Sequence, residues 1–205
     1  MKISKLLLLL STVIAFTACQ KELKFDDGLA NTDSSSVVGA WKFISMQTDM
    51  NLTLEGEQNG VPMSVVATSN YTTINNGGTI TFDNNQMIAA GLTYSVDAIA
   101  KATVYVAGIP VNTSDVPITG TVPPTDDTGA YEQFGADSIY VQSGALAILD
   151  PGGVLQNTGL GFKLKWIGNQ MTMTTRIQTI TSEDYMGIPV TANADITAVF
   201  TLEKQ

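Results

Sequence analysis

The run Phe162-Lys163-Leu164-Lys165-Trp166 alternates strictly, with three large apolar side chains on one face and two lysines on the other. A period of two fits a half-buried strand and excludes a helix, because successive strand side chains point to opposite faces. Gly168-Asn169 follows, a pair suited to a tight hairpin, and Met171-Thr172-Met173-Thr174-Thr175-Arg176-Ile177 alternates again. A hairpin with one apolar face has to bury that face against more sheet, and the rest of the chain supplies it. Segments 52–54, 61–74, 79–83, 87–96, 98–106, 138–142, 145–149 and 196–202 are rich in β-branched and aromatic residues and read as strands. Turn chemistry separates them at Glu55-Gly56-Glu57, Asn59-Gly60, Asn75-Asn76-Gly77-Gly78, Asn84-Asn85 and Asp150-Pro151-Gly152-Gly153. Residues 111–122 continue the pattern weakly across Pro117, 123–129 read as the clearest loop, 131–134 as a helical turn, and Ser182-Glu183-Asp184 as a polar loop. No stretch carries a helical period of useful length. The prediction is an all-β fold, an antiparallel up-and-down barrel of about eight strands, with a β-sandwich as the alternative. Closure favours the barrel, because only a closed sheet removes its exposed edges.

The chain begins with a different kind of segment. Lys2 and Lys5 precede an apolar run from Leu6 to Phe16, and Thr17-Ala18 leads into Cys19, the only cysteine among 205 residues. This is the charged, apolar and small-residue order of an export signal, and the apolar part falls short of the roughly 20 residues that span a bilayer. Residues 1–18 read as signal peptide, 19–36 as the lone cysteine with a flexible polar tether, and 37–205 as one β-domain of ordinary size.

Loss of the signal takes two of the ten basic residues and none of the nineteen acidic ones, leaving a net charge of −11. A chain this acidic repels nucleic-acid phosphates and anionic membrane surfaces, so no nucleic-acid partner is expected. There is no histidine. Without histidine and with a single cysteine, Ser-His-Asp and Cys-His catalysis, Cys/His zinc sites and disulfides within the domain are all excluded.

The segment ending at Cys19 resembles the lipobox of bacterial lipoproteins, with Phe16 where leucine is usual. That resemblance implies acylation of Cys19 and attachment to the outer membrane through lipid, facing either the periplasm or the cell exterior. Gln20-Lys21-Glu22 with Asp26-Asp27 is similar to the surface-export signal of Bacteroidetes lipoproteins. Gly39-Ala40-Trp41, at the start of the domain, resembles the G-x-W motif that opens the first strand of lipocalins and lipocalin-like lipoproteins. There the tryptophan plugs the closed end of the barrel and a late arginine stacks on it, which implies Gly39, Trp41 and Arg176 as the plug; an exposed Arg176 on the outer face is the other reading. The resemblance further implies a cavity for a small apolar or amphipathic ligand, with no cofactor and no catalysis.

Trp41, Phe43, Phe82, Tyr94, Tyr105, Phe162, Trp166, Met171, Met173 and Phe200 are the candidate core, and Phe82, Tyr94 and Trp166 the candidate cavity lining. Core and cavity use the same residue types, so sequence alone does not separate them. Carboxylates are the only groups left for catalysis or metal binding. Asp126, Asp127, Glu132 and Asp137 cluster in sequence but match neither a glycosidase pair nor a calcium loop, and read as a solvated acidic surface. The function expected is ligand binding by a lipid-anchored envelope protein. A surface-displayed structural or adhesive β-domain, binding protein or glycan through its loops, is the alternative.

Overall fold

The computed structural model describes residues 36–142, 159–185 and 188–205, the side chains of 183–185 and 188 excepted. The signal segment, Cys19, the tether before Ser36, the strand expected at 145–149 and the turn at 150–153 lie outside the described residues. Nine strands follow one another: β1 (Gly39–Gln58), β2 (Val61–Thr72), β3 (Ile74–Phe82), β4 (Gln86–Val106), β5 (Ile109–Phe134), β6 (Ser138–Val141), β7 (Leu160–Ile167), β8 (Gln170–Tyr185) and β9 (Ile188–Lys204).

Every pairing is antiparallel, and β9 returns to β1, so a single sheet closes in a ring. β2 and β3 run end to end, both lying between β1 and β4, so the nine elements fill eight ring positions. Thr73 is the joint between them. Its N–H donates to the Met46 carbonyl (2.9 Å), and its Oγ1 accepts from the Met46 N–H (2.9 Å). A side-chain oxygen thus replaces a ladder carbonyl, which lets the strand bend without orphaning a buried N–H. The all-β antiparallel meander expected from sequence is present, and one closed sheet takes the place of the two stacked sheets of a sandwich.

Alternation dictates what fills the ring. Trp41, Phe43, Ile80, Phe82, Met87, Leu92, Tyr94, Phe162, Leu164, Met171, Met173, Phe200 and Leu202 all point inward and are buried. Ring edges meet ring faces at Phe82–Tyr131, Phe162–Phe200 and Phe43–Tyr94, with centroids 5.2, 6.0 and 6.4 Å apart. Edge-to-face geometry places the positive rim of one ring on the negative face of the next. Tyr105 departs from the expected core: it lies on the outer face of β4 and is half-buried.

Among the described residues, closure is confined to one end. β6 and β7 have 4 and 8 residues, whereas β4 and β5 have 21 and 26. The long strands continue past the closed base as a six-stranded open sheet in the order β8-β9-β1-β2-β4-β5.

The structure corrects five local expectations. β5 runs unbroken through Pro117, the expected loop at 123–129 and the expected helical turn at 131–134. Proline is tolerated there because β5 is an edge strand over most of its length among the described residues, so the N–H it lacks has no ladder partner to lose. β1 likewise continues through Gly56 and turns only at Asn59-Gly60, and β8 continues through the expected polar loop to Tyr185. The turn expected at Asn75-Asn76-Gly77-Gly78 lies inside β3, whose register shifts there against β4, and the chain bends at Thr73 instead.

Candidate functional site

The base of the ring holds the residues singled out by the G-x-W resemblance. Gly39 opens β1 at φ 137°, a conformation that L side chains rarely adopt, while its nearest neighbour, Lys204 Cε, stands 3.9 Å from where a Cβ would sit. The glycine is therefore required by backbone conformation rather than by close packing. Trp41 is buried, and its indole N–H donates to the Val37 carbonyl at 2.8 Å. The cation beside it is Lys204, whose Nζ lies 5.7 Å from the ring centroid. Arg176 does not stack there: it is exposed on the outer face and forms a two-pronged pair with Asp195. Lys204 takes its place because Trp41 and Lys204 are register partners across β1 and β9.

The three candidate cavity residues all face the core. Phe82 packs against Tyr131, whose hydroxyl donates to the Asp83 carbonyl at 2.6 Å. Burial and the neighbouring Asp83 carboxylate hold the Tyr131 phenol above its ordinary pKa, so it stays a donor. Tyr94 meets Phe43, and Trp166 is half-buried, packed against the core. The Trp166 indole N–H is buried with no hydrogen-bond partner among the described residues.

A second location emerges where the packed core passes into the open sheet. The row Met46–Phe200–Met173 across β1, β9 and β8 is apolar and buried. The next row is Thr48–Ala198–Thr175. Both threonines are buried, at 5% and 3% exposure, and neither hydroxyl has a partner among the described residues. Ser69 and Thr73, the other buried serine and threonine among the described residues, are engaged with the Ile99 carbonyl and the Met46 N–H. Two strand spacings set Thr48 and Thr175 roughly 10 Å apart on the same face. Leaving a buried hydroxyl unpaired costs about 1–3 kcal/mol each, so this row holds unused hydrogen-bonding capacity inside an apolar surround.

Beyond that row the middle of the open sheet's inner face is mainly apolar and half-buried, with polar side chains at Ser69 of β2, Asn112 and Ser114 of β5, and Thr179 and Thr181 of β8. Met50, Leu52 and Leu54 of β1 lie beside Val65 and Ala67 of β2, which lie beside Val104 and Ala102 of β4; Ile196, Ala194 and Ala192 of β9 continue it on the other side. The arrangement suits a molecule with a long apolar part and one end able to bond a hydroxyl.

The acidic candidates are dispersed. The Asp126 carboxylate accepts from the Gly91 N–H at 2.7 Å, Asp127 from the Thr128 N–H at 2.8 Å, and Asp137 pairs with Lys163. That lysine, with Ser138, holds the Asp137 carboxyl below the usual carboxylate range. Among the described residues no group of three His, Cys, Asp or Glu side chains is placed to hold a metal ion. On the outer face, Asp49, Thr68, Asn70, Ile99, Lys101 and Asp115 line a polar groove where β2 and β4 separate.

Sequence reading missed two features. Thr48 and Thr175 carry no local signal, since a buried threonine in a strand looks like any other. The second has a signal: Gly60-Val61-Pro62-Met63, Gly108-Ile109-Pro110-Val111 and Gly187-Ile188-Pro189-Val190 repeat one Gly-aliphatic-Pro-aliphatic pattern. Each spans or follows the turn of one of three hairpins, β1–β2, β4–β5 and β8–β9, which stand side by side. Val61, Ile109 and Val111 are exposed there. No known family model matches the chain, and no curated protein does.

Proposed function

We propose that this chain is a lipid-anchored envelope lipoprotein that binds a small amphipathic molecule without catalysis. The polar end bonds to Thr48 and Thr175 and the apolar part lies along the inner face of the open sheet. The observation that carries this reading is the pair of buried hydroxyls, without a partner among the described residues, bordering a mainly apolar face. A polar ligand group beside them recovers the hydrogen bonds the fold leaves unmade, and apolar burial contributes roughly 25 cal/mol per Å² removed from water. The lipocalin resemblance supports the same class of ligand, although here the site lies outside the packed base. Cys19 and the tether would hold the protein at the outer membrane, and the strongly acidic domain would stay off anionic surfaces.

Fluorescence titration with a fatty-acid-like dye tests the reading. One saturable site per chain is expected. Val65→Glu, on the inner face, abolishes it; Thr53→Glu, on the outer face, leaves it intact. Thr48→Val weakens a carboxylate-bearing dye about tenfold while sparing a purely apolar one. Absence of saturable binding by the folded protein removes the proposal. The second reading, a surface-displayed domain that binds protein or glycan through its loops, is supported by the three repeated aliphatic-proline hairpin tips, and loss of partner binding in Ile109→Asp is its mark.

A further inference from the structure

Every lysine and arginine among the described residues stands away from the inner face of the open sheet. Lys42 and Lys165 are exposed on the outside of the closed base, each between inward-facing neighbours. Lys163 pairs with Asp137, Arg176 with Asp195, and Lys101 lines the outer groove. Lys204 lies over Trp41, at the end of the base away from Thr48. Residues 143–158 and 183–188 contain no lysine or arginine, and Lys21 and Lys24 belong to the tether, outside the described residues. From Thr48 outward, no described side chain on the inner face is charged.

Hydroxyl groups are what the site carries instead. Across β2, the register partner of Thr48 is Tyr71, which is half-buried. Side chains directly opposite each other share a face, so a phenol joins the Thr175–Ala198–Thr48 row. A hydroxyl both donates and accepts, and it suits a head that does the same. An ionised carboxylate only accepts and an ammonium only donates, and here neither meets a countercharge. Taking an unpaired ion out of water costs far more than bonds to neutral hydroxyls return. Residues 36–205 also hold fifteen acidic side chains against six basic ones, a field that opposes anions in particular.

Given the binding site proposed above, we infer that its ligand has an uncharged head bearing hydroxyl groups, as in a monoacylglycerol or a fatty alcohol. The head lies over Ala198, between Thr48 and Thr175, with the Tyr71 side of the row beside it. An ionised fatty acid enters the same site more weakly, because the hydroxyls give it donors and no countercharge. Charge on the head, rather than length of the chain, is the property the site selects against.

Displacement of an uncharged apolar dye by dodecanoylglycerol, dodecanoate and dodecylamine ranks three heads on one chain length. At about pH 8 the glyceride should displace the dye at a concentration at least about tenfold below either ion. Lowering the pH to about 5 protonates part of the carboxylate and should close most of its gap. Met50→Lys sets a cation one inner-face position from Thr48 and should rank dodecanoate first. Should that variant fail to bind the dye, the ranking by the unaltered protein decides alone. A folded protein without saturable dye binding removes the site itself, and the uncharged head with it. Saturable dye binding with dodecanoate or dodecylamine ranked first, or with no difference among the three, overturns the uncharged head and leaves the site standing.

Discussion

The closed base and the open sheet are made from the same strands yet are held together by different things. At the base, large aromatic, methionine and aliphatic side chains from all eight ring positions converge, and many are less than 5% exposed. In the open sheet the same strands carry alanine, valine and threonine, half-buried on the inner face and exposed at the tips. Their order there comes from ladder hydrogen bonds and cross-strand pairs rather than from a filled interior. The difference teaches that a strand can be long for reasons other than its own stability: the base anchors it, and the projecting part is free to present surface. Local opening should follow the same division, with base amides exchanging near the global unfolding limit and hairpin-tip amides well below it.

Four substitutions or conditions break or sharpen that contrast. The largest effect belongs to Phe162→Ala, which removes a fully buried ring packed edge-to-face with Phe200 and should cost about 3–5 kcal/mol in urea unfolding, whereas Leu54→Ala in the open sheet should cost about 1. Equal losses at both positions would erase the distinction.

Gly78→Ala comes next. A Cβ there would lie 2.6 Å from the Gly91 carbonyl oxygen and 2.7 Å from Leu92 Cα, at φ +98°, so backbone must move. We expect a loss of about 2–4 kcal/mol, against about 1 for Gly60→Ala at the β1–β2 tip, where only conformation opposes the change. Thermal midpoints of the two variants measure the gap.

A gain is expected at the neighbouring tip. Ala107 sits at φ 50° before Gly108 in a two-residue turn, where asparagine or glycine is favoured. Ala107→Asn should stabilise by about 0.5–1 kcal/mol, and a loss would show that the tip geometry differs.

The smallest effect is that of pH. The Asp137 and Asp195 carboxyls are held below the usual range mainly by hydrogen bonds from Lys163 and Arg176, and Asp83 by the N–H groups of Asn85 and Gln86. A depressed folded-state value means the stabilisation is fully present above the ordinary carboxylate range and is lost as pH falls through the folded values. The melting temperature should therefore fall below about pH 4, and Asp137→Asn at the base should flatten that fall. All three groups are largely exposed, so the change is modest and weakens in salt.

Much of the β architecture was legible because alternation is local. Phe162, Leu164 and Trp166 announce their common face without reference to anything else, and Asn59-Gly60 and Gly168-Asn169 announce their turns. The reading of 123–129 as a loop failed for the opposite reason: proline forbids a central strand but permits an edge one, and whether β5 is an edge depends on how far β6 and β7 reach.

The sequence by itself determined the all-β class, the hairpin turns and most of the buried face, since a period of two and left-handed turn residues act within a few positions. Only the tertiary structure decided that Lys204 rather than Arg176 covers Trp41, and that Thr48 and Thr175 share one buried row. Among the described residues it also left β5 as an edge strand over most of its length, which is why its prolines are tolerated. Those outcomes rest on register between strands up to about 160 residues apart in the chain. Each is set by ring closure, which no local pattern encodes.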